Sequence, residues 1–381
     1  MADLSYLDWP FFDARHGELS NRIEQWCGAH LGDAHPGDVD AECRKLVRDL
    51  CKAGFLRLCV ADGDTPPDVR SLAIARETLA RHSGLADFAF AMQGLGSGAI
   101  SLAGSDAQRS KWLPRVGSGG AIAAFAMTEP DAGSDAANLT MTARKDGDDY
   151  VLDGEKTYIS NGGIADFYTV LARTGEGEGA RGLSMFIVAA DTAGLTVAER
   201  IEVIAPHPLA RLKFDGVRGE LIGAPGEGFR IAMQTLNLFR VTVGAAALGF
   251  ARRALDEAVA FATTRRLGEG TLADNAVTQA NLAEMALAID ASALLIYRAA
   301  WQQDMHQSDN RRAAAMAKLH ATESAQRVID RAVQLHGGLG VTRGVPVEAL
   351  YRDIRALRIY EGASEVQRQI IARDLLKEAA R

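Results

Sequence analysis

The chain has 381 residues, 48% of them hydrophobic and 24% charged, an ordinary globular composition with enough apolar material for a sizeable core. Its 42 basic and 49 acidic side chains leave a net charge of −7, and no stretch gathers Lys and Arg into a stripe able to track phosphates, which argues against a nucleic-acid partner. Two or three folding units are expected at this length, because single cores stop growing near about 250 to 300 residues.

The opening segment, MADLSYLDWPFFDARHGELS, carries aspartates where a secretory signal needs a basic start. No apolar run approaches the roughly 18 residues of a membrane helix, so a cytoplasmic protein without a membrane partner is expected. From about Asp13 to Arg115 apolar residues recur at three and four, as in VRSLAIARETLARHSG, with breaks such as GDTPPD, and residues 1–118 are predicted to form a helical domain. Cys27, Cys43, Cys51 and Cys59 lie here without a CxxC pair or a zinc-like His cluster; they read as core residues in a reducing compartment, Cys43 and Cys51 sharing a buried face.

Between Gly119 and about Gly226 the pattern changes to short apolar or alternating runs separated by turn residues, among them AIAAFAMTEP, FYTVLART and GLSMFIVAA. Residues 119–227 therefore read as a β domain, with TGEGEGARG at Thr174 to Gly182 as an exposed hairpin tip. From Gly228 the helical period returns in stretches too long and too apolar on one side for isolated surface helices, so residues 228–381 are predicted to form a helical bundle.

Three stretches carry residue types that packing alone does not require. In FAMTEPDAGSDAAN, Phe125 to Asn138, a strand-like run ends in a turn whose Gly133, Ser134 and Asp135 offer backbone N–H groups and hydroxyls to a ligand, though a plain strand and polar turn would look the same. In DGEKTYISNGG, Asp153 to Gly163, the Asp-Gly pair predicts a hairpin turn, followed by a strand on which Tyr158, Ser160 and Asn161 could lay a ring and a hydrogen bond along a flat ligand. The third stretch runs from Gln334 to Leu376. Its glycines Gly337, Gly338 and Gly340 are flanked by helices, which excludes a nucleotide-binding βαβ unit. Further on, Glu361 sits between Tyr360 and Gly362 in an apolar neighbourhood just before a helix, either as a helix N-terminal acid or as a base with a tuned pKa.

In their order and separation, FAMTEPDAGSD, GEKTYISNGG, GEGF, QLHGGLG and IYEGASEVQRQIIARDLL give the chain a resemblance to the acyl-CoA dehydrogenases over essentially its whole length. The resemblance implies a mainly α fold in which a central β-barrel-like domain separates an N-terminal helical domain from a C-terminal four-helix bundle. It also implies FAD as cofactor, an acyl-CoA substrate, an electron-transfer flavoprotein as electron acceptor and a homotetramer built as a dimer of dimers.

Residue by residue, Glu361 matches the family's Tyr-Glu-Gly base, flanked by Tyr360 and Gly362 at the substrate. The alternative position of the base, directly before an Arg on the first bundle helix, holds Phe239 before Arg240. Phe125, Met127 and Thr128 match flavin-ring neighbours, Ser134 a contact to cofactor and pantetheine, and Tyr158, Ile159 and Ser160 the strand covering the flavin. Arg265, with Gln334, Gly337 and Gly338, resembles the segments that reach the FAD of a neighbouring subunit, and Arg240 a residue at the CoA end. The acyl cavity is expected around Gln93 to Ser97 and Leu236 to Phe239, with Gly94 and Gly96 leaving room. The family's hydrogen bonds to the thioester carbonyl, one from the Glu361 backbone N–H and one from a flavin ribityl hydroxyl, would acidify the α-carbon. The run TTRRLGEGTLADNAVTQ departs from the family: the Phe after the Arg is missing and Ala276 stands where a Gln holds the adenine half.

Two rival readings remain. One is an oxidase or flavin monooxygenase on the same fold, to which the compact length of the chain is less suited. The other is a non-catalytic FAD-containing binding protein. A metal hydrolase is weaker, because the eight histidines are scattered.

Overall fold

In the computed structural model residues 4–32, 37–63, 65–306 and 310–380 are described; Asp64 of the GDTPPD break lies outside them. Helices come first: α1 Ala14–His30, α2 Val39–Lys52, α3 Val69–His82, α4 Gly84–Ala103 and α5 Asp106–Gly117. Strands follow: β1 Ala123–Ala126, β2 Thr142–Asp146, β3 Asp149–Ser160, β4 Phe167–Arg173, β5 Leu183–Ala189, β6 Leu195–Arg200 and β7 Leu209–Ile222. Helices then return as α6 Gly228–Thr264, the short ribbon β8 Arg266–Leu267 and β9 Gly270–Thr271, α7 Ala276–His306, α8 Arg311–His336, α9 Pro346–Leu357 and α10 Ser364–Ala379. This is the mainly helical class with a central barrel-like sheet.

Two compact units emerge from the packing, residues 36–67 with 88–239, and residues 1–35 with 68–87 and 240–381. The first holds the sheet. Its strands run β4, β2, β3, β7, β5 and back to β4, a closed path, with β1 parallel to β4 and β6 on β7. β4 and β5 are buried along nearly their whole length, which is why FYTVLAR and LSMFIVA read as continuous apolar runs. Beneath them the rings of Trp112 and Phe167 lie 4.4 Å apart, packed with Ile100, Val116, Leu171, Met185 and Ile231. The TGEGEGARG segment joins β4 to β5, as expected of a hairpin connection.

Two expectations fail in this unit. The β2–β3 hairpin turns around Gly147, at φ +68°, and the Asp153–Gly154 pair lies inside β3. Gly154 occupies a register irregularity, with φ +146°, and a Cβ there would stand 2.9 Å from the Met141 side chain, so this glycine serves a bulge rather than a turn. Gly94 and Gly96 leave no open room either. A Cβ on Gly96 would meet the Ala124 backbone nitrogen at 2.6 Å, and one on Gly94 would lie 2.5 Å from the Phe239 ring, so both glycines permit close packing of α4.

The second unit gathers α1, α3, most of α6, and α7 to α10. Asp68 starts α3 by accepting hydrogen bonds from the backbone nitrogens of Arg70 and Ser71, and the helix is then buried on every side from Val69 to Ala80. Its buried Glu77 accepts from Arg252 Nε of α6 at 2.6 Å and from the Tyr297 hydroxyl of α7, so three helices share one charged knot. Contrary to the sequence expectation, α6 and α7 are each long and apolar enough to cross a membrane by length and composition. Polar residues scattered through both helices, such as Thr235, Asn237 and Arg240 in α6 and Asp290 and Arg298 in α7, interrupt the apolar runs. α6 is a mostly buried core helix, whereas α7 is 33% buried over the same window and exposes Val277, Leu287 and Leu294.

Candidate active site

Between α9 and α10 the chain makes a turn, RIYEGA, that no regular element holds. Glu361 has φ +51° and Gly362 φ +92°. Glycine adopts such a backbone freely, but a side chain there is strained, and the surroundings enforce it. From α8, Lys318 Nζ donates to the carbonyls of Tyr360 at 2.6 Å and Gly362 at 2.5 Å. Gln367 Nε2 donates to the same Gly362 carbonyl at 2.7 Å. Glu323, also on α8, accepts from the Ser364 hydroxyl at 2.6 Å and from Arg358 Nε at 3.1 Å, tying down both ends of the turn.

Around the Glu361 carboxylate the side chains come from far apart in sequence. Arg76 of α3 grips Asp87 with two bonds of 2.8 Å, donates to the Thr242 hydroxyl at 3.0 Å and bonds the Tyr360 hydroxyl. Arg76, Lys318 and Arg240 all draw the carboxyl toward ionisation, and Asp87 opposes them, yet burial outweighs the three cations and holds Glu361 above the ordinary carboxylate range. Its Oε2 is buried without a hydrogen bond among the described residues. Burial also pulls the Lys318 ammonium down to about 8, with Glu361 resisting and Arg240 assisting. The apolar neighbourhood expected for Glu361 is thus a charged one. Arg240, expected at the CoA end, sets its charge against Glu361.

The sheet unit places the other motif residues. Met127 and Thr128 leave β1 half-buried, beside Phe125. The Met127 carbonyl accepts from Lys156 Nζ at 2.9 Å, and the Thr128 carbonyl accepts from the Thr157 backbone nitrogen at 2.9 Å, so these two motifs meet. Lys156 is fully buried and paired with Glu129 at 2.9 Å; burial lowers its ammonium to about 8 against the pull of that carboxylate. Tyr158, at φ +55°, leaves 63% of its surface exposed, Ile159 points into the core, Ser160 is half-buried, and Ser134 lies on an exposed loop. In the second unit Arg265, Gln334, Gly337 and Gly338 are exposed, and the stack of Phe261 on His336, 4.3 Å between rings, brings the end of α6 to the end of α8.

Among the described residues, those other than glycine with a left-handed backbone are Tyr158, Asn161 and Glu361. All three fall within the motifs singled out by their chemistry, where strain of this kind concentrates.

Family models match the chain in order: acyl-CoA dehydrogenase, N-terminal domain, over 14–120; middle domain over 124–217; and C-terminal domain over 226–376. The chain is 35% identical over 383 residues to the probable acyl-CoA dehydrogenase fadE25 of Mycobacterium leprae, covering 97% of this chain and 98% of that one. The chain belongs to the acyl-CoA dehydrogenase family. Among solved structures, a glutaryl-CoA dehydrogenase from Mycobacterium smegmatis in complex with FADH2 has a TM-score of 0.87 at 27% identity, with 96% of this chain and 95% of that one covered. A chain in the solved structure described as "Electron transferring flavoprotein of Acidaminococcus fermentans: Towards a mechanism of flavin-based electron bifurcation" has a TM-score of 0.89 at 32% identity, with 96% of this chain and 98% of that one covered.

Three charged residues of this acyl-CoA dehydrogenase, Arg76, Asp87 and Lys318, escaped the sequence reading. A signal was present for Lys318. It lies on the same buried stripe of α8 as Ala314, Ala317 and Ala321, where a charge has no reason to be unless something receives it.

Proposed function

We propose that the chain catalyses the α,β-dehydrogenation of an acyl-CoA thioester to the 2-enoyl-CoA, with Glu361 taking the α-proton and an electron-transfer flavoprotein receiving the electrons. The observation that carries this is the Glu361 carboxylate itself, held on a strained turn with one oxygen buried and without a hydrogen bond among the described residues. A carboxylate kept ready in this way, with its pKa raised by burial, suits a base that works when substrate has displaced water.

FAD is the cofactor of the family, and the residues present fit it. Gly133, Gly337 and Gly338 have nothing within 4 Å of where a Cβ would stand, leaving backbone open to a ligand. Tyr158 presents a large apolar surface, with the half-buried Phe125, Met127 and Thr128 in the same unit. These residues, with Ile159, Ser160 and Ser134, would hold the ring end; Arg265, Gln334, Gly337 and Gly338 would reach the cofactor of a second copy. When bound, FAD supplies the acceptor for the β-hydride.

The chain's own part is to bind, orient and deprotonate. Tyr360 and Gly362 flank the acyl group, the Glu361 N–H polarises the thioester carbonyl and Glu361 Oε2 removes the proton. The acceptor is supported by the likeness to a chain of an electron transferring flavoprotein structure. Exposed Val277, Leu287 and Leu294 on α7 and Leu339 and Val341 beyond the glycine turn support a homotetramer.

Glu361→Gln tests the base. It should keep fold and yellow colour while turnover falls by about 10² to 10⁴, the range for losing a positioned general base. Anaerobic bleaching of the flavin band across a panel of acyl-CoA thioesters reads both the activity and the acyl preference. Near-normal turnover in the variant would place the base elsewhere, and rapid reoxidation by air would make the protein an oxidase.

A further inference from the structure

Lys318 is out of place by every packing rule. Its side chain is 1% exposed on the alanine stripe of α8, where a small apolar residue would serve the bundle. The ammonium is spent on two carbonyls, those of Tyr360 and Gly362, one on each side of Glu361. The first of these matters most. The Tyr360 carbonyl and the Glu361 N–H are opposite ends of one planar trans peptide, since no cis bond occurs among the described residues. A cation on the oxygen fixes the plane of that peptide, aims the N–H away from α8 and draws electron density from it, making the N–H a stronger donor. The second bond, shared with Gln367, fixes the peptide between Gly362 and Ala363 and so holds the far side of the turn on which Glu361 stands.

We propose that Lys318 is a positioning residue for the dehydrogenation: by bonding the carbonyls of Tyr360 and Gly362 it holds and polarises the Tyr360–Glu361 peptide, so that the Glu361 N–H and carboxylate are presented to the thioester together. The inference rests on Glu361 being the base. Lys318 touches no reacting atom and acts through the turn. It also faces the carboxylate electrostatically, together with Arg76, Arg240, Asp87 and Tyr360.

The test uses the FAD-loaded enzyme with Lys318→Met and Lys318→Gln. Both should retain flavin. In Lys318→Met kcat should fall about 10²-fold, as for loss of an oxyanion-hole donor, with KM within about threefold because the Glu361 N–H is kept and only its strength and aim change. Raman difference spectra of bound enoyl-CoA should show the thioester carbonyl stretch moved to higher frequency, reporting weaker polarisation. The acid limb of kcat/KM should move to higher pH in both variants, because one of the cations favouring ionised Glu361 is gone. Lys318→Gln, which can still donate to the carbonyls, should recover part of the Raman shift but not the pH shift. A wild-type carbonyl stretch and acid limb in Lys318→Met overturn the proposal even if the variant is less stable. Should that variant not fold, a wild-type carbonyl stretch together with an unmoved acid limb in Lys318→Gln overturns it. Glu361→Gln keeps its backbone N–H, so it should lose turnover while retaining the wild-type carbonyl stretch. Normal turnover there sinks the base, and the Raman comparison still judges Lys318 on its own.

Discussion

Asp353, on α9, shows what burial does to a single carboxyl. Its Oδ2 lies 2.7 Å from where a Cβ on Gly84 would stand, and burial raises its pKa to about 7, with Glu348 and Asp87 adding to the rise and Arg352 opposing it. An unfolded Asp titrates near about 3.9. Between that value and about 7 the native state keeps a proton that the unfolded chain releases, so this group's contribution to stability falls as pH rises through the window and is flat above it. Asp353→Asn should therefore melt above the wild type at pH 8 and lose that slope, while differing little at pH 4. Thermal melts at fixed ionic strength decide it, and an Asn variant no more stable at pH 8 would show the carboxylate to be accommodated. Glu361 was legible in the sequence because its motif is contiguous. Arg76, Asp87 and Lys318 beside it were not, because Arg76, Lys318 and the expected Arg240 stand on three helices that only the fold brings together.

At the scale of elements, periodicity located the helices and strands because each buries one face or is buried throughout. Turn chemistry served less well. Two Asp-Gly pairs occur in the β2–β3 segment, at Asp146 and Asp153, and nothing local says that the first makes the turn and the second the bulge; the position of Met141 decides it. Close approach was equally hidden, since a glycine that leaves space and one that lets two elements touch are the same letter. Gly94→Ala distinguishes them. Its methyl would lie 2.5 Å from Cε1 of Phe239, a 3%-exposed ring that also sits 3.1 Å from the Cβ position of Gly98. The substitution should destabilise by about 1 to 3 kcal/mol, as overpacking does. Adding Phe239→Leu should return much of that loss, so a double-mutant cycle in denaturant should give a coupling energy, and additive effects would mean that the ring moves aside freely.

For the whole molecule the expected outcome is assembly. α7 exposes Val277, Leu287 and Leu294, and the turn after α8 exposes Leu339 and Val341 next to Gly337 and Gly338. Sedimentation should report a tetramer, and Val277→Asp with Leu287→Asp should yield smaller species that release FAD while keeping their helical circular dichroism. A monomeric wild type with stoichiometric flavin would remove Arg265 and the Gln334 segment from any role across subunits. The order of helices, strands and helices was legible, because the change from a period near four to a period of two is written along the chain. The grouping of residues 68–87 with the bundle was not, because it depends on contacts such as Glu77 with Arg252 and Tyr297.

The surroundings of Glu361 are also unequal in charge. Arg76, Arg240 and Lys318 face Glu361 and Asp87, three cations against two carboxylates. Once Glu361 has accepted a proton, one negative charge is lost beside three cations that stay, and the surroundings become more receptive to anions. Small inorganic anions should then compete with the thioester most strongly where Glu361 is protonated. At constant ionic strength, replacing a bulky organic anion with chloride should lower kcat/KM more at acid pH than at pH 8. A halide effect that ignores pH would mean that this charge is already answered elsewhere in the protein.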